Sequence, residues 1–148
     1  MLLEFKTKNY KSFVEEASFS MVAAPKQKGL DYSLMKTKIK GKEIKGLSSS
    51  VIYGPNAAGK TNIIGAMDVL RAIVLRGNIR NSEEKSSPNP AAAALELIPN
   101  NNKMESKPVC FEIEFYEEDG EDHKFKIHYE LEVDLGTFLE EEHQRKRP

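Results

Sequence analysis

Ser50-Val51-Ile52-Tyr53-Gly54-Pro55-Asn56-Ala57-Ala58-Gly59-Lys60-Thr61-Asn62-Ile63-Ile64 decides how this 148-residue chain is read. Ser50–Tyr53 is a short apolar run of the kind expected of a strand buried on both faces. Gly54 to Thr61 then fits G-x-x-x-x-G-K-[ST], the Walker A phosphate loop. Its glycines permit backbone angles that turn several N–H groups toward a polyphosphate. Lys60 supplies a mobile positive charge for the terminal phosphates, and Thr61 a hydroxyl for Mg2+. The helix that starts there aims the positive end of its dipole at the same anion. Four fixed positions of this kind coincide by accident about once in tens of thousands of windows. The motif therefore reads as a nucleotide site rather than a glycine-rich turn capping an ordinary helix.

Outward from the loop, the spacing predicts a helix over Lys60 to Arg76. Ile63, Ile64, Met67, Leu70, Ile73 and Val74 recur at three- and four-residue steps and define one face. Gly77 stands where a left-handed C-terminal stop belongs, and Asn78 continues the break. Upstream, residues 2–22 read as two strands. Leu3 and Phe5 alternate with Glu4 and Lys6, and Phe13, Ala17, Phe19 and Met21 partly alternate with Glu16, Ser18 and Ser20. The polar Lys8–Ser12 stretch turns between them, and Pro25 ends the second. Residues 26–46 hold seven lysines and three glycines, with a small hairpin tip expected at Lys40-Gly41-Lys42.

Downstream, residues 79–107 are rich in Asn, Ser, Pro and Lys, with a short helix expected only over Ala91–Ile98; loops this long are usually functional or mobile. Val109, Phe111, Ile113 and Phe115 then alternate with polar partners, as do Phe125, Ile127, Tyr129, Leu131, Val133 and Leu135. The acidic stretch Glu117–His123 joins them, which predicts an antiparallel hairpin with one dry and one wet face. The chain closes on a charged tail, residues 140–148. The expected organisation is a lobe over 1–78 carrying the phosphate loop, a flexible insert over 79–107, and a hairpin lobe with tail over 108–148, all parts of one incomplete domain.

Composition narrows the class. Hydrophobic residues make up 39% of the chain, enough for a core, so wholesale disorder is excluded. The single Cys110 excludes a disulfide scaffold and a cysteine-based zinc site. No apolar run approaches the roughly 18 residues needed to cross a bilayer, and the charged start is no signal peptide; a cytoplasmic location is the expectation. Residues 1–80 carry 14 Lys/Arg against 6 Asp/Glu, and residues 81–148 carry 8 against 17. A basic half that handles an anion is one reading of this split; two solvated faces of opposite sign is the other.

The run Lys8-Asn9-Tyr10-Lys11-Ser12-Phe13 after a first strand, followed by VIYGPNAAGKTNIIGAM at 51–67, resembles the start of the ABC-type, AAA-like ATPases of the RecF, SMC and OLD group. The hairpin VCFEIEF…FKIHYELEVDL is similar to strands that OLD-type members insert after the first helix. The resemblance implies an α/β fold: a partial P-loop NTPase sheet holding the phosphate-loop strand, one long helix behind the loop, and an antiparallel hairpin lobe. It implies ATP and Mg2+ as cofactors. Gly54, Pro55, Asn56, Ala57, Ala58, Gly59, Lys60 and Thr61 would wrap the phosphates, with Asn56 near the γ-phosphate, Thr61 on Mg2+ and Asn62 starting the packed helix. Lys11 and Ser12 match residues that approach the nucleotide from the first turn; an exposed turn lysine is the plainer alternative. Ala57-Ala58 replaces the more frequent Gly-Ser or Ala-Ser, losing a hydroxyl but keeping small side chains. In a whole protein of this type two heads form a homodimer around ATP and act on nucleic acid or an effector domain.

Hydrolysis in that group needs a Walker B run, four apolar residues followed by Asp-Glu, and a Leu-Ser-Gly-Gly-type signature. Neither occurs here. Leu131-Glu132-Val133-Asp134 is interrupted by a glutamate, Asp68 lies on the helix, and Leu47-Ser48-Ser49-Ser50 lacks the glycines. The chain is therefore expected to be the amino-terminal portion of an ATPase that hydrolyses ATP slowly or not at all alone. The alternative is a non-catalytic regulatory or interaction module with a vestigial phosphate loop. A small P-loop kinase or GTPase is a third option, disfavoured because no Asn-Lys-x-Asp guanine motif is present. The lysines at 26, 28, 36, 38, 40, 42 and 45 read as a solvated basic hairpin before they read as a nucleic-acid surface, since only Tyr32 is available to stack. His123, His128, His143 and the strand carboxylates read as solvated groups.

Overall fold

Seven apolar or small residues spaced two apart, Leu3, Phe5 and Thr7 on one strand and Val109, Phe111, Ile113 and Phe115 on another, can all face one way only if their strands lie in register. The computed structural model, which describes residues 1–25, 29, 31–39, 41–79, 95–100, 107–121 and 123–134, brings them together in this way. Strands β1 (Leu2–Lys8), β2 (Ala17–Ser20), β5 (Val109–Glu118) and β6 (Lys124–Val133) form one antiparallel sheet in the order β2-β1-β5-β6. Phe5 opposes Phe19 on one side and Ile113 on the other, and Phe111 opposes Thr7 and Leu131. A bulge between Leu2 and Glu4 leaves Leu3 as the extra residue in its pairing with β5.

Helix α1 (Lys60–Arg76) covers this face, with the bounds that the spacing predicts. Its stop also agrees: Gly77 takes φ +67° and donates its N–H to Ile73 O at 2.9 Å. The buried face is rotated from the expected one. Ile63, Ala66, Val69, Leu70 and Ile73 are buried, whereas Ile64 and Val74 are half exposed. Small Ala66 is fully buried and lets the helix approach the sheet, so contact selects a stripe that side-chain size alone does not mark. Phe5, Tyr10, Val109, Phe111 and Val133 complete the core.

Strands β3 (Leu34–Ile39) and β4 (Lys42–Leu47) form a separate two-stranded hairpin whose tip contains Gly41, as the sequence suggests. It follows a single 3-10 turn at Asp31–Ser33. It is tied to the rest by Leu47 N–H to Met21 O at 2.7 Å and by a bridge between Val22 and Gly46.

Three expectations are corrected. Ser50–Tyr53 is not a strand, and it lies in neither described sheet. Val51 is 81% and Tyr53 90% exposed, because no described strand lies alongside to take their backbone bonds or cover their side chains. The helix expected at Ala91–Ile98 does not form over its described residues, 95–98; residues 91–94 lie outside the description. Pro99 disfavours helical geometry at Ile98, and the Ile98 carbonyl accepts Lys11 N–H at 2.8 Å instead of a helical partner. The dry face of β6 is dry only at one end. Val133 is buried and Leu131 packs on the core, but Phe125, Ile127 and Tyr129 stand exposed beyond the reach of α1. Leu135 and the charged tail lie outside the described residues.

Candidate phosphate-binding site

The phosphate loop joins the exposed Val51–Tyr53 segment to the first turn of α1. Gly59 occupies the N-cap with φ +82°, which an L side chain adopts only under strain, and no side chain caps the helix. Among the described residues none accepts from the amides of Gly59, Lys60 or Thr61; the next amides along the helix, those of Asn62 and Ile63, both donate to Gly59 O, at 2.9 and 3.1 Å. Ala57 also has φ +64°, a left-handed conformation that costs a non-glycine residue about 1–2 kcal/mol. Ala58 N–H closes a tight turn on Pro55 O at 3.3 Å. The result is a bent loop ahead of an uncapped helix end.

Lys60 fills part of this bend. Its ammonium donates to Gly54 O at 2.9 Å and to Pro55 O at 2.6 Å. Both acceptors are neutral carbonyls, weaker partners for an ammonium than an anionic oxygen would be.

The Lys8–Phe13 turn braces the loop from behind. Asn9 and Lys11 both have positive φ, +54° and +47°. Phe13 lies so close to Gly59 that a Cβ there would stand 2.9 Å from its ring, and Ser12 Oγ would stand 3.3 Å away. Asn62 Nδ2 donates to Ser12 Oγ at 2.7 Å, tying the turn to the helix start. Tyr10 is fully buried, with its ring 5.9 Å from that of Phe111 and its hydroxyl against Gly65. Burial pushes the Tyr10 hydroxyl up from its ordinary pKa, and the neighbouring Lys11 opposes that push.

Lys11 itself points elsewhere. Its ammonium lies 5.5 Å from the Tyr10 ring centroid and pairs with the Glu96 carboxylate. The Glu96 hydrogen bond raises the Lys11 pKa, and Lys11 lowers that of Glu96. Of the residues singled out in the sequence, Gly54 to Thr61, Asn62 and Ser12 are thus gathered at one place, with Lys11 beside them but engaged. Sequence reasoning missed Phe13 as the side chain packed on Gly59, and Glu96 as the partner of Lys11. The first is signalled by an aromatic residue after a polar turn. The second carries no local signal, because the two residues are 85 positions apart.

Other candidates are placed more plainly. Among the described residues no three His, Cys, Asp or Glu side chains are grouped to hold a metal ion. His123 sits 3.1 Å from Asp119 in the hairpin turn, and His128 lies on the polar sheet face between Glu114 and Glu130. Cys110 is half buried beside Glu132, and burial first, then that carboxylate, pushes its thiol up, away from the reactive thiolate. Lys36 pairs with Asp31 and Lys45 with Glu43, so part of the basic hairpin is neutralised on the spot. Lys26, Lys28 and Lys40 lie outside the described residues. No helix of the described residues is long and apolar enough to cross a membrane.

Residues 49–147, about two thirds of the chain, match the family model described as "AAA domain, putative AbiEii toxin, Type IV TA system". No curated protein and no solved structure matches the chain.

Proposed function

Since this chain belongs to the AAA domain family matched over residues 49–147, we propose that it binds Mg-ATP through Gly54–Thr61. The observation that carries the reading is the start of α1: a left-handed Gly59, no side-chain cap, and amides at Gly59, Lys60 and Thr61 without acceptors among the described residues. Gly59 and Lys60 are half-buried and Thr61 is exposed, so water can reach these amides, but the positive end of the dipole favours an anion in its place. Lys60 would exchange the Gly54 and Pro55 carbonyls for terminal phosphate oxygens. Thr61 would offer its hydroxyl to Mg2+, whose charge offsets that of the phosphates when it is bound. Asn56 and Asn62 flank the same loop, and Ser12 holds Asn62 in place.

Binding and turnover are separate properties here. Phosphoryl transfer to water needs a carboxylate that holds Mg2+ and a group that orients the water. The sequence offers no apolar run ending in Asp-Glu. The chain alone therefore binds ATP and turns it over slowly or not at all. Kinship with the RecF, SMC and OLD group, head-to-head homodimerisation and action on nucleic acid extend the same proposal to the protein at work.

Thermal melting with millimolar Mg-ATP tests the reading. A ligand at 100 times its Kd stabilises the native state by about 2.7 kcal/mol, so Tm should rise for the wild type and not for Lys60→Ala. A wild type that does not respond marks the phosphate loop as vestigial. Turnover at ordinary enzymatic rates that Lys60→Ala abolishes would overturn the slow-hydrolysis part.

A further inference from the structure

We propose that Glu96 is a counter-ion competing with the nucleotide's phosphates for Lys11, so that the Lys11–Glu96 ion pair and occupancy of the phosphate loop exclude each other. The inference rests on the nucleotide reading above and adds a residue that the loop motif does not contain.

The backbone of Lys11 is pinned. Its N–H donates to Ile98 O at 2.8 Å, and its carbonyl accepts from Asn100 Nδ2 at 2.6 Å. Only the side chain is free to change partner. The next two residues, Ser12 and Phe13, touch the Gly59 position of the loop, so the pinned backbone stands at the rim of the site. The ammonium, however, is turned along the helix. It lies 3.9 Å from where a Cβ on Gly65 would be, six residues or about 9 Å along the axis from Gly59. Glu96 holds it there.

Among the described residues, Lys11 is the group that the Glu96 carboxylate pairs with. The Glu96 side chain is 70% exposed, while the neighbouring Leu95 and Leu97 supply the apolar contacts of the segment. The Lys11 side chain is 21% exposed, but its partner carboxylate is open to water, so the pair contributes modestly to stability and is broken at modest cost. A polyphosphate carries several negative charges, is the stronger partner for Lys11, and repels Glu96. The pair thus lowers affinity for the nucleotide in the resting chain, and bound nucleotide releases segment 95–100 from one of its ties to the Lys8–Phe13 turn.

Calorimetric titration of the full chain with Mg-ATP tests this in wild type, Glu96→Gln, Lys11→Met, the double variant and Lys60→Ala, with Tm of each measured to establish folding. Glu96→Gln should bind about two- to fivefold tighter, the range that loss of an exposed pair allows. Lys11→Met should bind weaker, and in its background Glu96→Gln should change nothing. Unchanged or weaker binding by Glu96→Gln, or equal tightening with and without Lys11, would overturn the competition while leaving the nucleotide site standing. Absence of binding in wild type and Glu96→Gln alike would overturn the nucleotide reading itself. Binding by Glu96→Gln where wild type shows none would support both.

Discussion

The β1–β5 pair and the Val51–Tyr53 segment are written in the same residue types and end in opposite environments. Phe5, Val109 and Phe111 are essentially inaccessible, flanked by hydrogen-bonded neighbours and covered by α1. Val51 and Tyr53, equally apolar and equally suited to a strand, lie open to solvent without a described neighbour. β-branched and aromatic residues fit a pleated, half-buried surface, but they do not create one. A strand exists when a second backbone takes its N–H and C=O groups and a third layer takes its side chains.

Truncating side chains on the two segments is the strongest way to break this contrast. Phe5→Ala and Phe111→Ala should each lower stability by about 3–5 kcal/mol, as expected for emptying a packed aromatic site. Tyr53→Ala should move it by less than about 0.5 kcal/mol. Urea denaturation of the three variants decides the matter, and a cost at Tyr53 like that at Phe5 would mean that Val51–Tyr53 is covered in solution.

A second contrast sharpens the first within one helix. Gly59 and Gly77 both adopt left-handed angles at the ends of α1, but a Cβ at Gly77 meets open space whereas one at Gly59 meets Phe13. Gly77→Ala should cost about 1–2 kcal/mol from backbone strain alone. Gly59→Ala should cost that and a further overpacking penalty of about 1–3 kcal/mol, part of which Phe13→Leu should recover. Equal costs at the two glycines, measured by the same denaturation, would remove Phe13 as the brace of the phosphate loop.

The smallest effect belongs to the polar face of the sheet, where the same strands that bury Phe111 expose a charge cluster. Glu130 first, then Glu114, raise the His128 pKa above its ordinary 6.5, so its contribution is complete below pH 6.5 and lost as pH rises through the folded value. Lys126 first, then His128, lower the Glu114 pKa below its ordinary 4.5, so that contribution is present above pH 4.5 and lost as pH falls through the lower folded value. Both therefore act together between pH 4.5 and 6.5. His128→Gln should lower Tm slightly in that window and converge on wild type in alkaline solution. His128, Lys126 and Glu130 are exposed and Glu114 is only half-buried, which keeps the shift small. A Tm difference that grows with pH would show that His128 is held neutral instead.

What could be read from the sequence divides along the same line. The helix was legible to its end residues because its period, its glycine stop and its loop are all local. The strands β1, β2, β5 and β6 were legible because alternation is local too. Ala66 and Val69 as the buried stripe were not, since which face of a helix is covered depends on how closely the sheet allows it to approach. The non-helical geometry of residues 95–98 was hidden for a related reason: Ile98 O accepts from Lys11 N–H, and Asn100 N–H just beyond donates to Asn9 O, both partners far away in the chain.

The sequence by itself determined the bounds of the helix, its glycine ends and the two-sided strands, because glycine positions and hydrophobic period act over a few residues. Only the tertiary structure decided that Phe13 and Ser12 brace Gly59 and Asn62, that Glu96 occupies Lys11, and that Val51–Tyr53 stays uncovered. Those outcomes depend on which distant backbones and side chains meet, and contact across the chain is set by packing, which no local pattern encodes.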